Sequence, residues 1–230
     1  LMNIILEENP DVIGIDETMM KKNEQLEIEG YQIFRNDREK EGGGVLIAVK
    51  EEYKEISIEV RKESTFEESL WILVGTKDKI RIGVIYTPQE NKVKKKEIKD
   101  MYNRIKEEIH ISKEKRQKLL IMGDFNCKIG NNSESKIGNK IESKSKELSK
   151  GGKFLLELVE KEQLHLVNRS RKCEGKWTRI IGNCQSVLDY ILVIKENKDD
   201  IKKMYIDENK VITPFRVKNN EEIYSDHNAI

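Results

Sequence analysis

The chain has 230 residues, 37% hydrophobic and 37% charged, with 43 basic side chains against 42 acidic ones and a net charge of +1. That length supports one sizeable core, so a single domain is expected, and apolar residues gathered in short runs exclude a disordered chain. The balanced charge leaves no global basic field for nucleic acid, so such a partner would be held by a local patch. Cys127, Cys173 and Cys184 have no C-x-x-C spacing, which supports neither a disulfide framework nor a zinc knuckle and fits a reducing compartment. No apolar segment approaches the roughly 20 residues that span a bilayer, and no secretory pattern opens the chain. The expectation is a soluble intracellular protein, nuclear or cytoplasmic, with no membrane partner.

Leu1 to Glu8 reads as the tail of a helix stopped at Asn9-Pro10, because proline disfavours helical geometry in the residue before it. Val12-Ile13-Gly14-Ile15 is a compact strand that delivers Asp16-Glu17-Thr18 at its end. Ligands of α/β folds gather at that edge, so a carboxylate there suits a metal. The alternative is that Asp16 and Thr18 cap a following helix while Glu17 is solvated. Tyr31 to Phe34 predicts a second strand. Gly42-Gly43-Gly44 lacks the Lys-Ser/Thr of a P-loop and reads as a flexible connection into the strand Val45 to Val49.

Glu55 to Val60 alternates as a strand with one wet face, and Leu70 to Gly75 and Ile80 to Tyr86 follow around a Lys77-Asp78-Lys79 turn. Strands in succession without a helix between them predict antiparallel neighbours. Tyr86, beside Thr87-Pro88, either hydrogen-bonds an anionic ligand or packs with its hydroxyl at the surface. Ile98, Met101, Tyr102, Ile105 and Ile109 recur at helical spacing and predict an amphipathic helix over the sheet.

Leu119-Leu120-Ile121-Met122 then forms a buried strand ending in Gly123-Asp124-Phe125-Asn126. Two residues apart in extended chain, Asp124 and Asn126 would share a face, pairing a general base or metal ligand with a neutral donor and acceptor. Gly-Asp-x-Asn is also ordinary turn material. Residues 130–152 are polar and predict a long surface loop; a second amphipathic helix contains Phe154, Leu155, Leu158 and Val159. A strand around Leu164 to Val167 follows, in which His165 reads as structural. Trp177-Thr178 opens another extended piece, and Ser186 to Val193 is an apolar strand with Asp189 near its start. A carboxylate there needs a partner. Ser225-Asp226-His227 offers one, entering a final strand, although in isolation it reads as an exposed loop.

The ordered set Glu17, Tyr86, Gly-Asp-Phe-Asn at 123–126, Asp189 and Ser-Asp-His at 225–227 resembles the endonuclease/exonuclease/phosphatase superfamily across nearly the whole chain. Tyr86-Thr87-Pro88, Thr178 after Trp177 and the Leu-Asp-Tyr around Asp189 resemble its apurinic-type branch. Within it, they are similar to endonuclease domains of non-LTR retrotransposons and to free-standing craniofacial development protein-like proteins.

The resemblance implies a four-layer α/β sandwich: two packed, mostly antiparallel sheets flanked by helices. It implies a hydrolase that nicks DNA with Mg²⁺, or Mn²⁺ as a substitute, in some members beside a linked reverse transcriptase that primes on the nick. In the implied roles, Glu17 and Asp226 hold the metal, Asp124 and Asn126 manage the attacking water, and Asp189 orients His227. Tyr86 and Thr178 contact the phosphate together with Asn126 and His227. Members of the superfamily begin with an Asn-x-x-Gly-Leu strand that this chain lacks; Asn3 does not match it, and the last strand is cut at Ile230, so both ends read as clipped. Two other readings stay open: a phosphatase of the same superfamily, and a catalytically weakened fragment or host-adopted protein that acts by binding.

Overall fold

The computed structural model describes residues 8–37, 43–53, 56–59, 68–130, 147–211, 215–218 and 221–230. Apart from Glu8, the helix tail expected at the N-terminus lies outside them, as does most of the loop expected at 130–152. The chain first forms β1 (Val12–Asp16), β2 (Tyr31–Asn36) and β3 (Val45–Lys50), an antiparallel sheet in the order β1-β3-β2. In β3 every residue from Val45 to Val49 is buried, which is why it reads as an unbroken apolar run. Alternation still sorts the two faces: Val45, Ile47 and Val49 turn toward the second sheet, and Leu46 and Ala48 turn outward under Ile28 and Tyr31.

The second sheet holds β4 (Ile56–Glu59), β5 (Glu68–Val74), β6 (Ile80–Tyr86), β7 (Lys118–Asp124), β8 (Leu164–Leu166) and β12 (Asp189–Ile194) in the order β4-β5-β6-β7-β12-β8. β4, β5 and β6 are the predicted antiparallel succession. β6 and β7 run parallel, and a parallel pair needs a long crossover. Helix α1 (Lys95–Glu114) supplies it. Its residues Ile98, Met101, Tyr102, Ile105 and Ile109 are buried, as their spacing predicts, against Leu119 and Ile121 of β7 and Leu155 of α2 (Lys150–Lys161). The start of α2 lies earlier than the polar composition suggested. Ser149 Oγ accepts the Gly152 N–H at 3.1 Å, and the Glu90 carboxylate takes the N–H groups of Lys150 and Gly151 at the positive end of the helix.

Phe34, Val45, Ile47 and Val49 of the small sheet meet Leu70, Ile72, Ile82 and Val84 of the large one, and the opposite face of the large sheet meets the helices. Smaller pairings complete the fold: β9 (Cys173–Glu174) parallel to β13 (Met204–Tyr205), the hairpin β10 (Arg179–Ile181) with β11 (Cys184–Ser186), and the hairpin β14 (Phe215–Lys218) with β15 (Glu221–Tyr224). The expected final strand is a single bridge, Arg179 to His227, with the Asn228 N–H donating to the Thr178 carbonyl at 2.7 Å. His165 is half-buried on β8 and belongs to no cluster of three or more metal-ligating side chains among the described residues.

Candidate active site

The carboxyl ends of β6 and β7 and the amino ends of their antiparallel neighbours β5 and β12 meet in one row. Strand register pairs Glu68 with Tyr86, Tyr86 with Asp124, and Asp124 with Asp189, so four polar side chains cross four strands in succession. Directly paired residues share a face and stand about 5 Å apart, so two acids side by side repel one another. Gly123 permits this arrangement. Its φ is +139°, and a Cβ there would collide with the Ile85 carbonyl of β6, so the Gly of Gly-Asp-Phe-Asn lets β7 approach β6 just before the acid. Asn126, at φ 43°, folds its amide back. Its Nδ2 donates to Asp124 Oδ2 and to the Thr87 carbonyl, both at 2.8 Å, and its N–H donates to Asp124 Oδ1 at 2.7 Å. Asp124 and Asn126 therefore come together, but through this turn rather than by alternation along an extended strand.

His227 completes the row. Its Nδ1 lies 2.9 and 3.0 Å from the two oxygens of Asp189, which turns the ring and leaves Nε2 as the outward nitrogen. Burial alone would lower the imidazole pKa, but the Asp189 hydrogen bond and the charges of Asp189, Asp124 and Asp226 outweigh it and raise it to about 9. The ring is then a cation at neutral pH. Burial, followed by the charge of Asp189, drives the Asp124 pKa well above the usual carboxylate range despite His227 and the Asn126 N–H.

The small sheet brings the remaining acids. Asp16 Oδ2 accepts the Asp124 N–H at 2.9 Å, a bond between the two sheets. Burial first, and then Asp189, raise the pKa of Asp16 to about 6. The neighbouring Glu17 accepts a hydrogen bond from the Tyr86 hydroxyl. Burial and this bond raise the Tyr86 pKa, so the phenol stays protonated. The anion that Tyr86 binds here is thus one of the protein's own carboxylates. No helix follows β1 among the described residues, which removes the capping alternative for Asp16 and Thr18.

Two expected contributors stand elsewhere. Thr178 is fully buried, and its Oγ1 accepts the N–H groups of Leu188 at 2.9 Å and Asp189 at 3.1 Å. It fixes the start of β12 and is not presented to a phosphate. Asp226 gives its carboxylate to Arg179 Nε at 2.8 Å on the exposed rim, beside His227. Conversely, Asp16 was legible only as an acid beside Glu17, and nothing in the sequence marked Glu68, which lies two residues before the strand expected from Leu70.

Asp124, Asp189 and His227 hold candidate ligand atoms within 4.8 Å of one another. A ring that is charged and bonded to Asp189 is a poor ligand, so the carboxylates are the better donors. Carboxylate oxygens crowded side by side fit a hard divalent cation, which would relieve their repulsion.

The sequence profile described as endonuclease-reverse transcriptase matches residues 80–230. No curated protein sequence matches the chain. Among solved structures, the endonuclease domain of TRAS1, a telomere-specific non-LTR retrotransposon, is 16% identical with a TM-score of 0.63, over 99% of this chain and 86% of that one. The 3′ phosphatase NExo from Neisseria, bound to a product DNA hairpin, is 14% identical with a TM-score of 0.64, over 98% of this chain and 89% of that one. An AP endonuclease from Archaeoglobus fulgidus is 16% identical with a TM-score of 0.59, over 99% and 90%. At such identities the structures speak for the fold, that of nucleases and phosphatases, and the profile speaks for the family. The chain belongs to the endonuclease-reverse transcriptase family of the endonuclease/exonuclease/phosphatase superfamily.

Proposed function

We propose that the chain is a divalent-metal-dependent DNA endonuclease that nicks the phosphodiester backbone by attack of water. The observation that carries this reading is the contact of the His227 ring with both oxygens of Asp189, next to Asp124 in the same row. Such a ring presents a charged N–H where negative charge grows on a phosphate oxygen in the transition state. Asp124, with its raised proton affinity, suits removal of a proton from the attacking water, and Asn126 holds that carboxylate in place. Glu17 and Asp16 at the end of β1 supply further oxygen donors for the ion. Mg²⁺, or Mn²⁺ in its place, contributes positive charge against the phosphate and the leaving oxygen when bound.

The family match and the likeness to a retrotransposon endonuclease domain favour DNA as substrate. The reading extends to a full-length protein in which a linked reverse transcriptase extends the 3′ end at the nick, working in the nucleus or cytoplasm. Conversion of supercoiled plasmid to open circle in Mg²⁺ tests the reading. Asp124→Ala and His227→Ala should each lower the rate by about 10²–10³-fold, with unfolding temperatures near wild type. Wild-type activity in either variant refutes the assignment. A 3′-phosphorylated oligonucleotide, assayed in parallel, separates the alternatives: release of phosphate without nicking would make the chain a phosphatase.

A further inference from the structure

Glu68 opens the row that continues through Tyr86, Asp124 and Asp189, yet the chemistry above does not use it. It is only 6% exposed, and a carboxylate so buried is costly unless it is hydrogen-bonded. It reaches across to the small sheet, where it accepts the Gly44 N–H. Gly43 and Gly44 have φ of +83° and +89°; a Cβ on the first would collide with the Glu68 carboxylate and one on the second with Thr18 Oγ1. The carbonyls of the same two glycines accept the N–H groups of Met19 at 2.8 Å and Thr18 at 3.1 Å. Glu17 and Met19, on either side of Thr18, sit at φ 48° and 56°, a conformation that costs about 1–2 kcal/mol per residue and persists only where the surroundings impose it. Glu17 is in turn bonded to Tyr86, the cross-strand neighbour of Glu68. The path closes on itself.

We propose that Glu68 is a positioning residue: by clamping the Gly43-Gly44 turn it holds Glu17 in the left-handed conformation that aims its carboxylate at the metal site. The inference rests on the metal-dependent reading above and gives the glycines a purpose other than flexibility. At the positive φ of both positions only glycine sits without strain.

Titration of the protein with Mn²⁺, following the free-ion signal by electron paramagnetic resonance, tests the clamp without turnover. Glu68→Ala should raise the Kd for Mn²⁺ about 10-fold, the usual effect of losing a partner that orients a ligand. Glu68→Gln keeps an acceptor oxygen and should stay within about 2-fold. Gly43→Ala presses on the same carboxylate and should reproduce the loss, so the clamp stays testable if Glu68→Ala does not fold. Asn36→Ala removes the 3.1 Å bond from Asn36 Nδ2 to the Ser69 carbonyl, which ties the same two sheets one residue away; it should lower the unfolding temperature and leave the Kd unchanged. An unchanged Kd in both Glu68→Ala and Gly43→Ala overturns the clamp, and so does equal weakening by Glu68→Ala and Glu68→Gln, which would make the charge itself a ligand. Failure of the wild-type protein to bind Mn²⁺ overturns the metal reading and the clamp together.

Discussion

The two sheets meet in two very different ways. Through most of the interface Phe34, Val45, Ile47 and Val49 pack against Leu70, Ile72, Ile82 and Val84. At one end the contact is polar and directional: Asp16 to Asp124, Glu17 to Tyr86, Glu68 to Gly44 and Asn36 to Ser69. Apolar burial is strong and non-directional, so it presses the sheets together without fixing any one atom. Hydrogen bonds fix atoms but contribute modestly to stability, and acids placed side by side oppose it. The apolar region therefore supplies the stability against which the site end holds its repelling carboxylates.

Substitutions in the two regions should separate these contributions. Asp124→Asn should lower plasmid nicking by about 10³-fold, equivalent to about 4 kcal/mol of activation free energy, while the unfolding temperature rises because a repelling charge is gone. A fall in unfolding temperature would show that Asp124 supports the fold. Ile72→Ala, at a position 1% exposed, should cost about 3 kcal/mol of unfolding free energy in urea. At a temperature where it is folded, its metal requirement for nicking should match wild type.

The smallest effect concerns His227, whose pKa is raised to about 9 in the folded chain. A raised imidazole pKa stabilises the fold fully below the unfolded value near 6.5 and loses that contribution as pH rises through 9. With chelator present, stability should therefore decline by about 2 kcal/mol between pH 6.5 and 9.5, and His227→Asn should flatten the decline. An unaltered slope in that variant would place the titration elsewhere.

Much of the architecture could be read from short-range pattern. The period of α1 and the apolar runs of β5, β6 and β7 are set by residues near one another in the chain. Misreadings came where one residue type serves two purposes. Gly151 and Gly152 resemble loop material, yet they begin α2 because Ser149 and Glu90 satisfy its first N–H groups. Thr178 beside Trp177 resembles a phosphate contact, yet its hydroxyl is turned inward to the start of β12.

By itself, then, the sequence determined a layered α/β domain, the strand ends at which Glu17, Tyr86, Asp124 and Asp189 emerge, and the superfamily that their order matches. Local preference and hydrophobic period are properties of neighbouring residues, so they survive without coordinates. Tertiary structure alone decided which of those side chains meet. It joined Asp16 to the amide of Asp124, sent Asp226 to Arg179 and placed Glu68 at the head of the acid row. Those partners lie far apart along the chain, and a bond's geometry, like the charge state it imposes, exists only once packing has brought its two ends within reach.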